Sequence, residues 1–381
     1  MRELDFGLSD DQQLLQESAR DVLARELPPT LVRQTAESSS GVSEALDRKL
    51  AELGWTGLMV PESHGGLGLR TLDAAILLTE FGRAAAPGPF FSSAILAATA
   101  LVAGGDRRQK KEWLPKLAAG EATAALAVLE ESDRFDAAGV RVRARRSRSG
   151  YRLEGTKVFV PYAHVADVLI VAGRTTPGDG AAGITLFLVD PRSPGVTIHL
   201  LETIDRTRRV CEVQLRKVEV GREEVLGSIG AGWSIVAKVF DLAAIGVAAD
   251  GLGGSERVLE MAVEYSKTRQ QFGRPIGSFQ AVKHLAAEMV AEIEPARSLV
   301  WYAAHARDAA PREASRAASM AKASLCDIYS RSANRAVQIH GGIGFTWEHD
   351  LHFWFKRAKW NEAAFGDPSF HRERVAALSG F

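Results

Sequence analysis

The stretch Thr268–Gln280, TRQQFGRPIGSFQ, decides the fold. A long helical pattern with apolar residues at three- and four-residue spacing runs into it as far as Phe272, GWSIVAKVFDLAAIGVAADGLGGSERVLEMAVEYSKTRQQF. Another follows, QAVKHLAAEMVAEIEPARSLVWYAAHARD. Gly273 suits a helix C-cap and Pro275 blocks continuation, so the stretch reads as a turn between two helices. A second junction, QIHGGIGF at 338–345, ends a third long segment, REASRAASMAKASLCDIYSRSANRAV. Small residues recur on the faces of all three, as in helices that pack closely in a bundle. Lys267, Arg269, Gln270 and Gln271 precede one turn, Gln338 and His340 the other. Guanidinium and amide groups beside free backbone N–H groups can hold a pyrophosphate, although plain surface polarity explains the spacing equally well.

The residues upstream of this bundle have two textures. Residues 1–120 read as helices: Ser9 with Gln12 forms a capping box for DDQQLLQESARDVLARE, which stops at Pro28, and SEALDRKLAELGW and TLDAAILLTEFGRAA are helix-periodic. Residues 121–228 change period. GVRVRARRSRSGYRLEGTKVFV, DVLIVAGR, GITLFLVD, GVTIHLL and CEVQLRKVEV are short β-rich runs between turn residues, an antiparallel sandwich or barrel. Arg141, Arg143 and Arg145 alternate with Val142 and Ala144, the pattern of the wet face of an edge hairpin and not of a nucleic-acid patch. Residues 229–381 are the helical bundle. The order is α, β, α.

Bulk composition narrows the function classes. Lys+Arg and Asp+Glu both number 47 in 381 residues, which gives no global attraction to nucleic acid or to an acidic membrane. Cys211 and Cys326 are too far apart in sequence to build a disulfide framework or zinc spacing. There is no signal-peptide core and no apolar run long enough to span a membrane, so a cytosolic protein is expected. HGGLGL at 64–69 and GLGG at 251–254 fail as dinucleotide loops: such a loop follows a strand and opens a helix, whereas one lies between helices and the other inside a helical pattern.

With these motifs in place, the chain resembles the acyl-CoA dehydrogenase family over nearly its whole length. TRQQFGRPIGSFQ is similar to the family's Arg-x-Gln-Phe-Gly-x-Pro-Ile signature, AVQIHGGIGF to its Gln-x-x-Gly-Gly-x-Gly-aromatic signature, MVPESHGGLGL to a loop near the end of the N-terminal domain, and LEGTKVFV with ADVLIVAGR to a middle-domain strand pair. The resemblance implies an α+β multidomain fold: N-terminal helices, a middle antiparallel β domain and a C-terminal four-helix bundle. It implies FAD at a dimer interface, with the flavin ring on one subunit's middle domain and the pyrophosphate and adenosine end on the other's bundle. Carried over, Arg269, Gln271, Phe272, Gln338, Gly341 and Gly342 are the cofactor-binding residues. No metal is implied. The reaction is α,β-desaturation of an acyl-CoA thioester, in which a carboxylate removes the α proton and the flavin accepts a hydride. An electron-transfer flavoprotein or similar acceptor and an oligomer, a dimer of dimers, are also implied.

The chain departs from the family pattern in three places. The usual catalytic glutamate position holds Phe365, followed by Gly366 and Asp367. The alternative position on the first bundle helix holds Ala243, with Ala244 where arginine is usual. In the flavin cradle Phe159 replaces tryptophan, while Pro161 and Leu129 replace residues whose hydroxyls bond the ring. The residues that hold FAD in trans remain; those that seat the ring in cis, and both bases, are gone. This is the pattern of a partner subunit in the heteromeric acyl-CoA dehydrogenases of some actinobacteria. The alternatives are a self-sufficient enzyme with a relocated base, a non-catalytic paralogue, and an oxidase- or monooxygenase-like relative. Asp367 is the candidate catalytic base, with Glu362, Asp250 and Glu130 behind it. Asp367 also reads as the N-cap of the last helix, with Pro368 at its first position.

Overall fold

The structure is a computed structural model and describes residues 7–381. Six helices come first: α1 (Asp10–Glu26), α2 (Pro29–Glu37), α3 (Glu44–Glu52), α4 (Thr71–Arg83), α5 (Ala98–Gly104) and α6 (Arg107–Ala118). Strands follow: β1 (Ala124–Ala127), β2 (Arg143–Arg146), β3 (Gly150–Pro161), β4 (Val168–Arg174), β5 (Ile184–Val189), β6 (Val196–Leu200), β7 (Val210–Gly221) and β8 (Val225–Leu226). The C-terminal part contains α7 (Trp233–Thr268), the short strands β9 (Gln270–Gln271) and β10 (Arg274–Pro275), then α8 (Gln280–Ala309), α9 (Pro311–His340), α10 (Leu351–Ala363) and α11 (Pro368–Leu378). The expected N-terminal helices, middle strand-rich region and C-terminal helical bundle are all present. The chain forms two compact units, and the division falls within α7.

One unit contains the described residues through Gln34, then Thr71–Ala86 and Asp241–Phe381. Small residues set its helix spacing. A Cβ on Gly253 of α7 would lie 1.8 Å from the Thr79 carbonyl oxygen of α4, and one on Gly82 of α4 would lie 2.0 Å from the Asp250 carbonyl oxygen. GLGG is therefore a helix-contact motif. The α1 helix opens with the capping box expected of Ser9 and Gln12. Arg20 of α1 holds the fully buried Glu80 of α4 with two hydrogen bonds.

The other unit contains Thr35–Arg70 and Pro87–Phe240. Its sheet has eight strands in the order β6-β7-β3-β2-β4-β5-β8, with β1 added against β4. Most pairs are antiparallel, but β1 and β2 both run parallel to β4. Neither is joined to β4 by a hairpin, which is what permits the parallel sense. The arginines do alternate as a wet face: Val142 and Ala144 are buried while Arg143 and Arg145 are exposed. The strand is not at an edge, however, since β2 lies between β3 and β4.

Candidate functional site

The expected cofactor residues collect at one end of the bundle. Helices α8 and α9 have 30 residues each, so they carry the chain about 45 Å away and back. The end of α9 thereby returns to the end of α7, where Tyr265 stacks on His340 with ring centroids 4.5 Å apart. Arg269 lies one turn beyond Tyr265, and Gly341 directly after His340. His340 is buried and bonded through Nδ1 to the Ala336 carbonyl at 2.7 Å; burial lowers its pKa from the ordinary 6.5.

The TRQQFGRPIGSFQ turn differs from the sequence expectation. Helix α7 ends at Thr268, and Gly273 is not its cap. Gln270–Gln271 pair with Arg274–Pro275 as a hairpin whose two central residues, Phe272 and Gly273, have φ of 53° and 78°. Two successive positive φ angles make a tight two-residue hairpin turn. Glycine takes this conformation freely; phenylalanine does so at a cost. The strained Phe272 ring is 90% exposed. Arg269 and Gln338 are exposed too, and the Arg269 side chain makes no hydrogen bond or ion pair among the described residues. At the second junction Gly341 caps α9 with φ of 64°, as expected, and a Cβ on Gly341 or Gly342 would meet nothing within 4 Å.

These observations fit the far end of FAD. An unpaired guanidinium offsets the negative ends of two helices and can neutralise a pyrophosphate. The open glycines let an oxyanion approach backbone, and the exposed Phe272 offers a flat apolar face.

The base position shows the same kind of strain. Phe365 has φ of 57° and is followed by Gly366 with φ of 97°. Three side chains fix this turn. Lys322 of α9, fully buried, donates to the carbonyls of Asn361 and Gly366, each at 2.8 Å. His371 Nε2 bonds the Phe365 carbonyl at 3.0 Å, and burial pushes its pKa down to about 4. Asp367 caps α11, its Oδ1 accepting from the Phe370 N–H at 2.7 Å. Lys322 precedes Gly341 by 19 residues, so this turn lies roughly 28 Å along α9 from the glycine pair. Glu362 is exposed enough to pair with Lys359. Ala243 and Ala244 are buried inside α7, and the buried Asp250 is held by Arg357 and Asn361.

In the sheet unit, Phe159 stands at a bulge between Lys157 and Val160 with φ of 51° and is 51% exposed. Sequence reading missed what holds it there. Lys157 is fully buried, and its Nζ donates to the Val128 carbonyl at 2.8 Å and to Glu130 Oε1 at 2.6 Å. The same oxygen accepts the N–H groups of Arg141 and Val142. Burial lowers the lysine pKa to about 8, with Glu130 opposing the shift. No sequence signal sets this lysine apart, because β3 also carries Arg152, Glu154 and Thr156; only burial shows that its ammonium needs a carboxylate. Leu129 bonds Val158 through its backbone carbonyl, and neither its side chain nor that of Pro161 offers a donor.

Among the described residues no group of side chains could hold a metal ion, and no helix is long and apolar enough to cross a membrane. Family models for the acyl-CoA dehydrogenase N-terminal, middle and C-terminal domains match residues 9–121, 125–218 and 230–379. Acyl-CoA dehydrogenase IpdE2 of Mycobacterium tuberculosis is 34% identical over 352 residues, covering 92% of this chain and 91% of that protein. The caffeyl-CoA reductase–Etf complex subunit CarC of Acetobacterium woodii is 31% identical over 349 residues, covering 90% and 91%. In the crystal structure of the ChsE4–ChsE5 complex from Mycobacterium tuberculosis, a chain 28% identical superposes with a TM-score of 0.90, over 99% of this chain and 100% of that one. The chain belongs to the acyl-CoA dehydrogenase family, oxidoreductases that use FAD as cofactor.

Proposed function

We propose that this chain works in the α,β-desaturation of an acyl-CoA thioester as the subunit that completes the FAD site of a catalytic paralogue. The observation that carries this reading is Phe365, a strained aromatic where the family's base would stand, in a turn whose nearest carboxylate, Asp367, is spent as a helix cap. The intact far-end set of Arg269, Gln271, Phe272, Gln338, Gly341 and Gly342 supports it from the other side. FAD, when bound, supplies the hydride acceptor. This chain's part is to hold the pyrophosphate end through Arg269 and the glycine backbone, and to cover it with Phe272. Leu129 and Pro161 leave its own middle unit without side-chain hydroxyls for a flavin ring.

The likeness to a chain of the ChsE4–ChsE5 complex supports a heteromer, and a heterotetramer is the assembly we favour. The likeness to CarC, described as a subunit of an Etf complex, supports an electron-transfer flavoprotein as acceptor. We assign the enzyme to lipid metabolism in the cytoplasm; its two cysteines are both buried and unpaired.

The test is to purify the chain alone and together with the acyl-CoA dehydrogenase encoded nearest to it, then record flavin absorbance and dye reduction. Bound FAD and turnover are expected only in the mixture, and both are expected to fall with Arg269→Ala. Stoichiometric FAD and turnover in the lone chain would sink the proposal and restore a self-sufficient enzyme.

A further inference from the structure

A groove of about 650 Å³ on the sheet unit has no part in the site described above. It lies between the end of β2, the start of β3 and the stretch around β8. We propose that this groove binds a small phosphate-bearing molecule, held by Arg146, Arg222 and the Tyr151 hydroxyl. All three residues line it. Neither arginine side chain makes a hydrogen bond or ion pair among the described residues. The one carboxylate in the lining, Asp106, is occupied: its Oδ1 caps α6 through the Gln109 N–H at 2.7 Å.

Tyr151 supplies an independent indication. It is only 4% exposed, its ring packs on Phe187, and its hydroxyl has no hydrogen-bond partner among the described residues. The hydroxyl itself is not sealed from water: it opens onto the groove, where it can donate to an acceptor oxygen of a ligand. The surrounding charge points the same way. In the β2–β3 register Arg145 faces Arg152 and Arg146 faces Tyr151. Like charges directly opposite each other are unfavourable, and Glu219 relieves only Arg152. The groove lining itself carries two guanidinium groups, Arg146 and Arg222, against the single carboxylate of Asp106, an excess of positive charge in a chain of zero net charge. The guanidinium fork matches phosphate oxygens in pairs. The lining residues Val225 and Ile229 offer apolar contact for the rest of the ligand, and the volume suits a mononucleotide-sized molecule.

Calorimetric titration of the FAD-saturated assembly with AMP, inorganic pyrophosphate and adenosine tests the proposal while the flavin site is occupied. AMP and pyrophosphate are expected to bind, and adenosine at least tenfold more weakly than AMP. The double variant Arg146→Gln with Arg222→Gln should lower AMP affinity at least tenfold, and Tyr151→Phe three- to tenfold, with FAD content unchanged. Equal binding of adenosine and AMP, or unchanged AMP affinity in the double variant, overturns the proposal. So does the absence of binding by both phosphate probes, even where the double variant weakens association with another protein.

Discussion

Asp367 and Lys157 show how one charged side chain can be read two ways from sequence and one way from structure. For Asp367 the sequence already held the answer, because Asp-Pro before a helical pattern is a capping arrangement, and the Phe370 N–H is indeed its partner. Asp367→Asn keeps an acceptor oxygen but cannot take a proton, so turnover of the assembled enzyme should be unchanged. Asp367→Ala should lose about 1 kcal/mol of stability in urea unfolding, with no selective loss of turnover. Lys157 was not legible, since strand patterning gives no account of a buried ammonium whose carboxylate lies 27 residues upstream. Removing one partner of a buried ion pair strands the other, at a cost of about 3–5 kcal/mol. Lys157→Met should lower the urea midpoint accordingly, and adding Glu130→Leu should recover part of the loss. Additive losses in this double-mutant cycle would show that the two side chains are not coupled.

Among the elements, those with long periodic patterns were the readable ones. The three long bundle helices and the strands from β2 to β7 fall where periodicity places them. Strand β1 is the sequence AALA, without a β-branched residue, and β8 has only two residues, so neither carries a strand signal of its own. The turn after α7 was misjudged because Phe272 occupies a conformation that sequence rules reserve for glycine. Glycines inside α7 likewise differ in ways that only packing reveals. A Cβ on Gly253 would overlap the Thr79 carbonyl at 1.8 Å, whereas one on Gly251 would find its nearest neighbour, Asn361 Nδ2, at 3.6 Å. Gly253→Ala must push α4 and α7 apart and should destabilise by several kcal/mol. Gly251→Ala meets ordinary contact distances and should stabilise by up to about 1 kcal/mol through helix propensity. Thermal melts of the two variants should move in opposite directions; equal shifts would contradict the close α4–α7 contact.

At the scale of the whole molecule, the clustering of the residues proposed to hold FAD was legible because equal helix lengths bring positions 269 and 341 to one end, and motif spacing carries that information. The composition of the two units was not, since each is assembled from separated stretches whose association depends on packing. That division has a consequence for acid stability. In the bundle unit His340, His349, His352 and His371 all have pKa values lowered by burial, the last two to about 4 from 6.5. The unfolded chain therefore binds protons that the folded unit refuses, and stability falls as pH drops from about 6.5 toward 4. Each tenfold difference in proton affinity is worth about 1.4 kcal/mol, so the loss from His371 reaches a few kcal/mol, and His352 adds a smaller, solvent-screened share. Glu256, raised by burial, opposes them in the same unit. In the sheet unit the lowered His164 is set against Asp47, which burial raises to about 6 and which gains stability over much of the same window. Acid should thus loosen the bundle unit first. Hydrogen exchange at pH 7 and pH 5, corrected for intrinsic rates, should show α10 and α11 losing protection while β3 and β7 keep theirs. His371→Gln should reduce the loss in α11, and a uniform loss of protection across both units would refute the histidine origin.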